Sequence, residues 1–275
     1  MDSFKQIDSP AKNPLRCVIL DNDETTGCYT LVFSLVTYLS KHVMEYHDQI
    51  ETIFTKLALF MEEHHLFRPG LRALLKELCA LRRSGAIDKI FMYTNQRHQV
   101  PLEDQGTMHE LLHSVPMAIS FMMNVLADDE DVFDHHYTRP IEYWGQTSVI
   151  PKYFSRIFKT HAHKEYEIDM QYMIFVDDMA HPNFIKADGF QDHQIKEHSW
   201  YRVEPYYATL EDHQLEQFMF LIFENKWVIE DSIKRILKQY IEYMPKRKSD
   251  ASTKTLDEVR VFVRNFFIKQ HPIHV

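Results

Sequence analysis

At 275 residues the chain is long enough to bury a full core, and with 45% apolar and 13% aromatic residues it is too hydrophobic for a disordered polymer. Its formal net charge of −9 removes any global basic field for nucleic acid, so no nucleic-acid partner is expected and a phosphorylated partner would need a local cationic pocket. Its three cysteines, Cys17, Cys28 and Cys79, lie in apolar segments and fit buried thiols in a reducing compartment, not a disulfide framework.

The first fifteen residues are polar, carry Pro10 and Pro14 and lack the apolar stretch of a signal sequence, so 1–15 read as a loose leader. Arg16-Cys17-Val18-Ile19-Leu20 is a short β-rich run that ends abruptly in acids, as a buried parallel strand would. Residues 29–65 are helical in pattern: Leu31, Phe33, Leu35, Val36 and Leu39 line one helix, and Ile50, Ile53, Phe54, Leu57 and Phe60 a second. The stretch Leu31 to Leu39 is the longest apolar one, but Ser34 and Thr37 interrupt it and it is too short to cross a bilayer, so no membrane partner is expected. The protein reads as intracellular, cytoplasmic with a nuclear location left open.

Arg68-Pro69-Gly70 opens a third helix through Arg83, with Leu71, Leu74, Leu75, Leu78 and Leu81 on its apolar face and Ser84-Gly85 as its stop. Lys89 to Tyr93 reads as a second strand, ending in the polar pair Thr94-Asn95. Residues 96–150 read as less regular, and their acidic run Asp128-Asp129-Glu130-Asp131 as a solvated loop or an auxiliary metal site. Pro151-Lys152 starts another helix, and Tyr172 to Val176 is a third strand, again ending in acids, Asp177-Asp178. The remainder reads as a helix from Leu215 to Tyr243, a hydrophilic break from Pro245 to Lys254, and a helix from Thr255 to Lys269 with a capping-box start.

Three strand ends thus carry Asp21-Asn22-Asp23, Thr94-Asn95 and Asp177-Asp178. In a parallel sheet the carboxyl ends of the strands share one edge, so these side chains converge on one crevice. An Asp carboxylate can attack phosphorus and divide hydrolysis into two easier steps, while a second carboxylate protonates the leaving oxygen and later activates water. A dense group of carboxylates repels itself and phosphate, which calls for a hard dication with oxygen ligands, Mg²⁺ by preference.

The ordered set resembles the haloacid dehalogenase superfamily of phosphatases, whose D-x-D-x-T motif corresponds to Asp21, Asp23 and Thr25 here. The likeness covers residues 16–190. It implies Asp21 as nucleophile, Asp23 as general acid/base, Thr94 and Lys152 on the phosphoryl group, and Thr25 and Asn95 beside the substrate. It also implies Mg²⁺ held by Asp21, the main-chain carbonyl of Asp23, and Asp177 or Asp178; Lys159 and Lys164 are alternatives to Lys152. Glu24 and Arg68-Pro69-Gly70 are similar to features of the small C-terminal-domain phosphatases (the NLI-interacting-factor-like group), which act on phosphoserine or phosphothreonine in proteins. Thr26-Gly27, the Asp177-Asp178 pair and the helical pattern of 29–65 depart from that group.

The expected fold is α/β: a three-layer, doubly wound parallel sheet with a helical insert after the first strand and a helical C-terminal extension. Residues 16–243 would form the catalytic domain, 29–66 a small helical cap on it, and 244–275 a linker with a helix. The expected function is Mg²⁺-dependent phosphomonoester hydrolysis, on phosphoprotein or on a small metabolite or nucleotide, with an inactive scaffold as the other class. Histidine pairs such as His64-His65, His135-His136 and His161-Ala162-His163 have no Cys at ligand spacing and read as ordinary histidines. Lys246-Arg247-Lys248 reads as solvated linker, Cys28 as a core thiol, and Phe262, Phe266 and Phe267 as packing.

Overall fold

A computed structural model of the chain describes residues 13–96, 109–139, 170–179, 200–223, 226–243 and 256–270. Its sheet has five strands, β1 (Cys17–Leu20), β2 (Lys89–Tyr93), β3 (His135–Tyr137), β4 (Met173–Asp177) and β5 (Trp200–Arg202). Every pairing is parallel and the order is β3-β2-β1-β4-β5. β1 is central, with Leu20 in register with Met92 on one side and Val176 on the other. Its four residues are all buried, which is why it shows no alternation in sequence. Arg16 pins the entry to β1 and β2 together: its Nη2 lies 2.7 Å and its Nε 3.1 Å from the two carboxylate oxygens of Asp88.

Eight described helices flank the sheet: α1 (Thr30–Leu39), α2 (Val43–Tyr46), α3 (Ile50–Glu63), α4 (Leu71–Arg83), α5 (Val115–Ala127), α6 (Asp212–Ile222), α7 (Lys226–Tyr243) and α8 (Asp257–Gln270). Each sends side chains into one apolar cluster with Val18, Leu20, Ile90, Met92, Ile174 and Val176 of the sheet. The alternate sheet residues Cys17, Ile19, Phe91, Tyr93, Met173 and Phe175 point the other way, into a second cluster. Helices α1 to α3, the stretch expected as an insert, pack within the first cluster through residues such as Leu35, Phe54 and Leu57.

α4 ends as its sequence predicts. Gly85 takes φ +73° and its N–H reaches Arg82 O at 3.0 Å, while Ala86 N–H reaches Leu81 O at 2.9 Å. That double bond is the left-handed helix stop that a glycine makes easy.

Three expectations change. The stretch 96–150 holds a regular helix, α5, and the strand β3. α5 buries nine of its thirteen residues, including Ile119, Met122 and Met123, so it is apolar nearly all round and shows little periodicity. Ser114 caps it by accepting the N–H of Met117 at 3.3 Å. The single helix expected from Leu215 to Tyr243 is two, α6 and α7, parted at Phe223, whose φ −105° and ψ 101° are extended. β3 and β5, at three residues each, are strands that the sequence pattern did not reveal. The helix start at Pro151-Lys152, the break Pro245 to Lys254, Thr255 and residues 1–12 of the leader lie outside the described residues. Among the described residues no helix is long and apolar enough to cross a membrane.

Ile119 is fully buried in α5, so Ile119→Ala should cost about 2–5 kcal/mol of stability. Urea unfolding checks this, and a loss below about 1 kcal/mol would mean that α5 is not central to the core.

Candidate functional site

The strand order reverses between β1 and β4, since β1, β2 and β3 run outward on one side and β4 and β5 on the other. A crevice forms outside the strand carboxyl ends at such a reversal. The chain leaves β1 there with one more rung on β4, Asp21 N–H to Val176 O at 2.9 Å. It then closes a tight loop: the N–H groups of Thr25 and Thr26 return to Asn22 O at 3.2 and 2.9 Å. Glu24 takes the left-handed φ of 61° that the turn needs. The loop docks on the segment before α4 through Cys28 N–H to Leu66 O, 2.8 Å, and Arg68 N–H to Thr26 O, 2.9 Å. Gly27 permits this close approach, since a Cβ there would lie 2.9 Å from Leu66 O.

From β4 come Asp177 and Asp178. One carboxylate oxygen each of Asp21, Asp177 and Asp178 lies within 4.8 Å of the others, and all three residues are buried. Thr25 joins the two strands at this point. Its Oγ1 accepts the N–H of Asp178 at 3.0 Å and sits 2.9 Å from Asp178 Oδ1 and 3.1 Å from Asp21 Oδ2. A hydroxyl has one proton, so Thr25 donates to one of these carboxylates at a time. Asp177 is turned by the N–H of Met179, which donates to its Oδ1 at 2.7 Å.

On the other side of β1, the end of β2 holds Asp23. Gln96 Nε2 donates to Asp23 Oδ1 at 2.5 Å, and Thr94 Oγ1 lies 3.4 Å from Asp23 Oδ2. Thr94 Oγ1 in turn accepts the N–H of Gln96 at 3.1 Å. Gln96 was missed in sequence, although its place two residues past Thr94 was a usable signal. Asn95 is half-buried, and its carbonyl accepts from Arg139 Nε at 3.0 Å. Asp21, Asp23, Thr25, Thr94, Asp177 and Asp178 are thus linked at one edge of the sheet. Lys152, Lys159 and Lys164 lie outside the described residues.

Arg68 braces the loop from behind. It is 2% exposed, and its Nη2 donates to the carbonyls of Glu24, at 2.8 Å, and Glu204. Its guanidinium also stands 5.3 Å from the ring centre of Tyr206. Burial pulls the Arg68 guanidinium down to about 10, opposed by the charges of Asp178, Tyr206 and Glu204. Glu24 faces outward from the same turn. Burial pushes its carboxyl up, with Asp178 and Asp23 adding to the rise, while the Tyr207 hydroxyl opposes it by donating to Oε2 at 3.0 Å. Glu24, Asp23, Gln96 and Tyr207 border a cavity of about 290 Å³.

Some of the other described acids and histidines have local contacts. Asp129 of the acidic run pairs with Arg83 at 2.9 Å and lies 3.8 Å from Arg82, and the N–H of Asp131 is the main cause holding its carboxyl low. His64 lies against the Phe60 ring, and His136 Nε2 sits 2.8 Å from Ser120 Oγ. Among the described residues, the one cluster suited to a metal is the aspartate trio, which contains no histidine. His161, His163 and Lys246-Arg247-Lys248 lie outside the described residues.

Compared with protein-family models, with curated proteins and with solved structures, the chain matches none of them. What the site can do therefore follows from its own chemistry: three buried carboxylates converge beside a fourth, Asp23, that is separately held.

Thr25→Val keeps the shape and removes the hydroxyl that joins β1 to β4. The expected result is a loss of about 1–3 kcal/mol in urea unfolding at neutral pH, largely recovered by Thr25→Ser. A valine variant as stable as the wild type would show that the Asp21–Thr25–Asp178 linkage adds nothing to folding.

Proposed function

We propose that the chain is a Mg²⁺-dependent phosphomonoester hydrolase that works through an aspartyl-phosphate on Asp21. One observation carries this reading: the carboxylates of Asp21, Asp177 and Asp178 converge in the interior at the point where the strand order reverses. The all-parallel sheet with its flanking helices is compatible with the finer reading of the fold as a three-layer haloacid-dehalogenase-like one.

The donor set fits a hard divalent cation, since each of the three aspartates offers an oxygen within 4.8 Å of the others. Asp21, the main-chain carbonyl of Asp23, and Asp177 or Asp178 would hold it. When bound, Mg²⁺ supplies neutralising charge and polarises the phosphoryl oxygens. Buried carboxylates so close together are otherwise costly to ionise.

In the first step a carboxylate oxygen of Asp21 attacks phosphorus, and the bond from phosphorus to the leaving alcohol breaks. Asp23 gives its proton to that departing oxygen. In the second step Asp23 takes a proton from water, the resulting hydroxide attacks phosphorus, and the aspartyl-phosphate opens to return Asp21 and free phosphate. Thr25 fixes the orientation of Asp21. Gln96 and Thr94 hold Asp23 beside it, and Lys152 or a neighbouring lysine would meet the phosphoryl charge.

Asp21→Asn should abolish Mg²⁺-dependent hydrolysis of p-nitrophenyl phosphate while the circular dichroism spectrum stays unchanged. Equal turnover by the two proteins would remove Asp21 as nucleophile. Added Mg²⁺ should also raise the melting temperature of the wild type in a concentration-dependent way, because a ligand that binds only the folded state stabilises it. A melting temperature indifferent to millimolar Mg²⁺ would count against the metal.

A further inference from the structure

We propose that the cavity beside Asp23 takes the alcohol part of a small phosphomonoester and selects one that bears a positive charge, an ammonium group on a short carbon chain. The inference rests on the phosphatase reading above, in which Asp23 protonates the leaving oxygen. A proton donor has to lie within hydrogen-bond reach of the oxygen that it protonates. The carbon chain on that oxygen must then occupy the space that Asp23 borders, which is the cavity of about 290 Å³. Ligand pockets span about 300–1,000 Å³, so this one sits at the lower end and suits a short alcohol.

Its lining favours a donor of positive charge. Glu24 lines it beside Asp23, with its Oε2 on the hydroxyl of Tyr207, and Tyr29, Phe33 and Tyr207 line it too. Tyr207 occupies Glu24 Oε2, and no Lys, Arg or His among the described residues forms an ion pair with Glu24. Gln96 borders the same space, and its Oε1 is shielded from solvent and accepts no hydrogen bond. Among the described residues the cavity therefore offers a carboxylate without a cationic ion-pair partner, an acceptor without a donor, and three aromatic side chains in its wall. An ammonium group answers all three, by charge, by N–H donation and by its attraction to ring faces. A neutral alkyl group answers none of the polar ones, and a carboxylate-bearing alcohol meets two acids of its own sign.

The test uses two pairs of esters matched in shape and different in charge: phosphoethanolamine with propyl phosphate, and phosphocholine with 3,3-dimethylbutyl phosphate. kcat/KM and calorimetric binding with Mg²⁺ present are measured for wild type, Glu24→Gln and Phe33→Leu, with p-nitrophenyl phosphate as general substrate. The expected preference for the charged member is about tenfold or more in the wild type. It should fall to about one in Glu24→Gln, and Phe33→Leu should lower the preference in both pairs, more in the phosphocholine pair, which has no N–H to donate. Hydrolysis of p-nitrophenyl phosphate without any preference for the charged esters overturns the cation pocket and leaves the reaction standing. Preferential binding of the charged esters, erased by Glu24→Gln, in a protein that hydrolyses nothing overturns the reaction and keeps the pocket. Loss of both overturns both. A lysine-flanked phosphoserine peptide turned over in preference to phosphoethanolamine overturns the assignment to a small substrate.

Discussion

The parallel pairing of β1 with β4 carries the carboxylates of Asp21, Asp177 and Asp178 to within 4.8 Å of one another inside the protein. Burial and mutual repulsion both oppose ionisation of such groups, so the arrangement persists only where other contacts offset the cost. Part of the offset is visible in the main chain. Asp178 N–H binds Thr25 Oγ1, and Met179 N–H binds Asp177 Oδ1. These donors come from the backbone, and the Thr25 hydroxyl adds contacts to Asp21 and Asp178.

The surroundings are organised to keep this loop rigid. A loop of conventional flexibility would relieve the repulsion by swinging one acid into water. Here the turn is locked by two N–H bonds to Asn22 O, by the close contact of Gly27 with Leu66, and by Arg68. Arg68 spends its charge on main-chain carbonyls of Glu24 and Glu204 instead of on a carboxylate. It ties the loop after β1 to the segment after β5, and its charge is also felt by Asp178. A buried cation used in this way is a clamp, and the carbonyl oxygens on its Nη2 replace part of the water it has lost.

How much of this could be read in advance depends on element length and on where apolar residues fall. β1, β2 and β4 were legible because each is a run of four or five buried residues that stops at polar ones. α3 and α4 were legible because their buried residues recur at helical spacing, as in Leu71, Leu74, Leu75 and Leu78. α5 was not, because a helix surrounded by other elements loses its polar stripe. β3 and β5 were not, because three residues at a sheet edge carry no period; His135-His136-Tyr137 looks like a loop until Asp134 is seen accepting from Ile90 N–H at 2.8 Å. Within the site, side chains at strand ends could be foreseen from topology. Gln96 is signalled only by its place two residues past Thr94, and Tyr207 is not signalled at all, since its part depends on where Glu24 points, in a turn with a left-handed residue.

That left-handed turn at Glu24 also divides the labour of the site. Asp21 is tied through Thr25 to Asp178 at the end of β4, whereas Asp23 is tied to Thr94 and Gln96 at the end of β2. Two acids separated by one residue are thereby handed to opposite neighbours of the central strand. Their surroundings differ accordingly. Asp21 is 4% exposed and lies beside two other carboxylates, while Asp23 is only half-buried and borders a cavity. In the proposed reaction Asp21 as nucleophile would have to stay ionised and still, and Asp23 as general acid would have to exchange a proton with what lies outside. Placing one inside a charged cluster and the other on a cavity wall separates those demands by geometry, with β1 as the fixed axis between them.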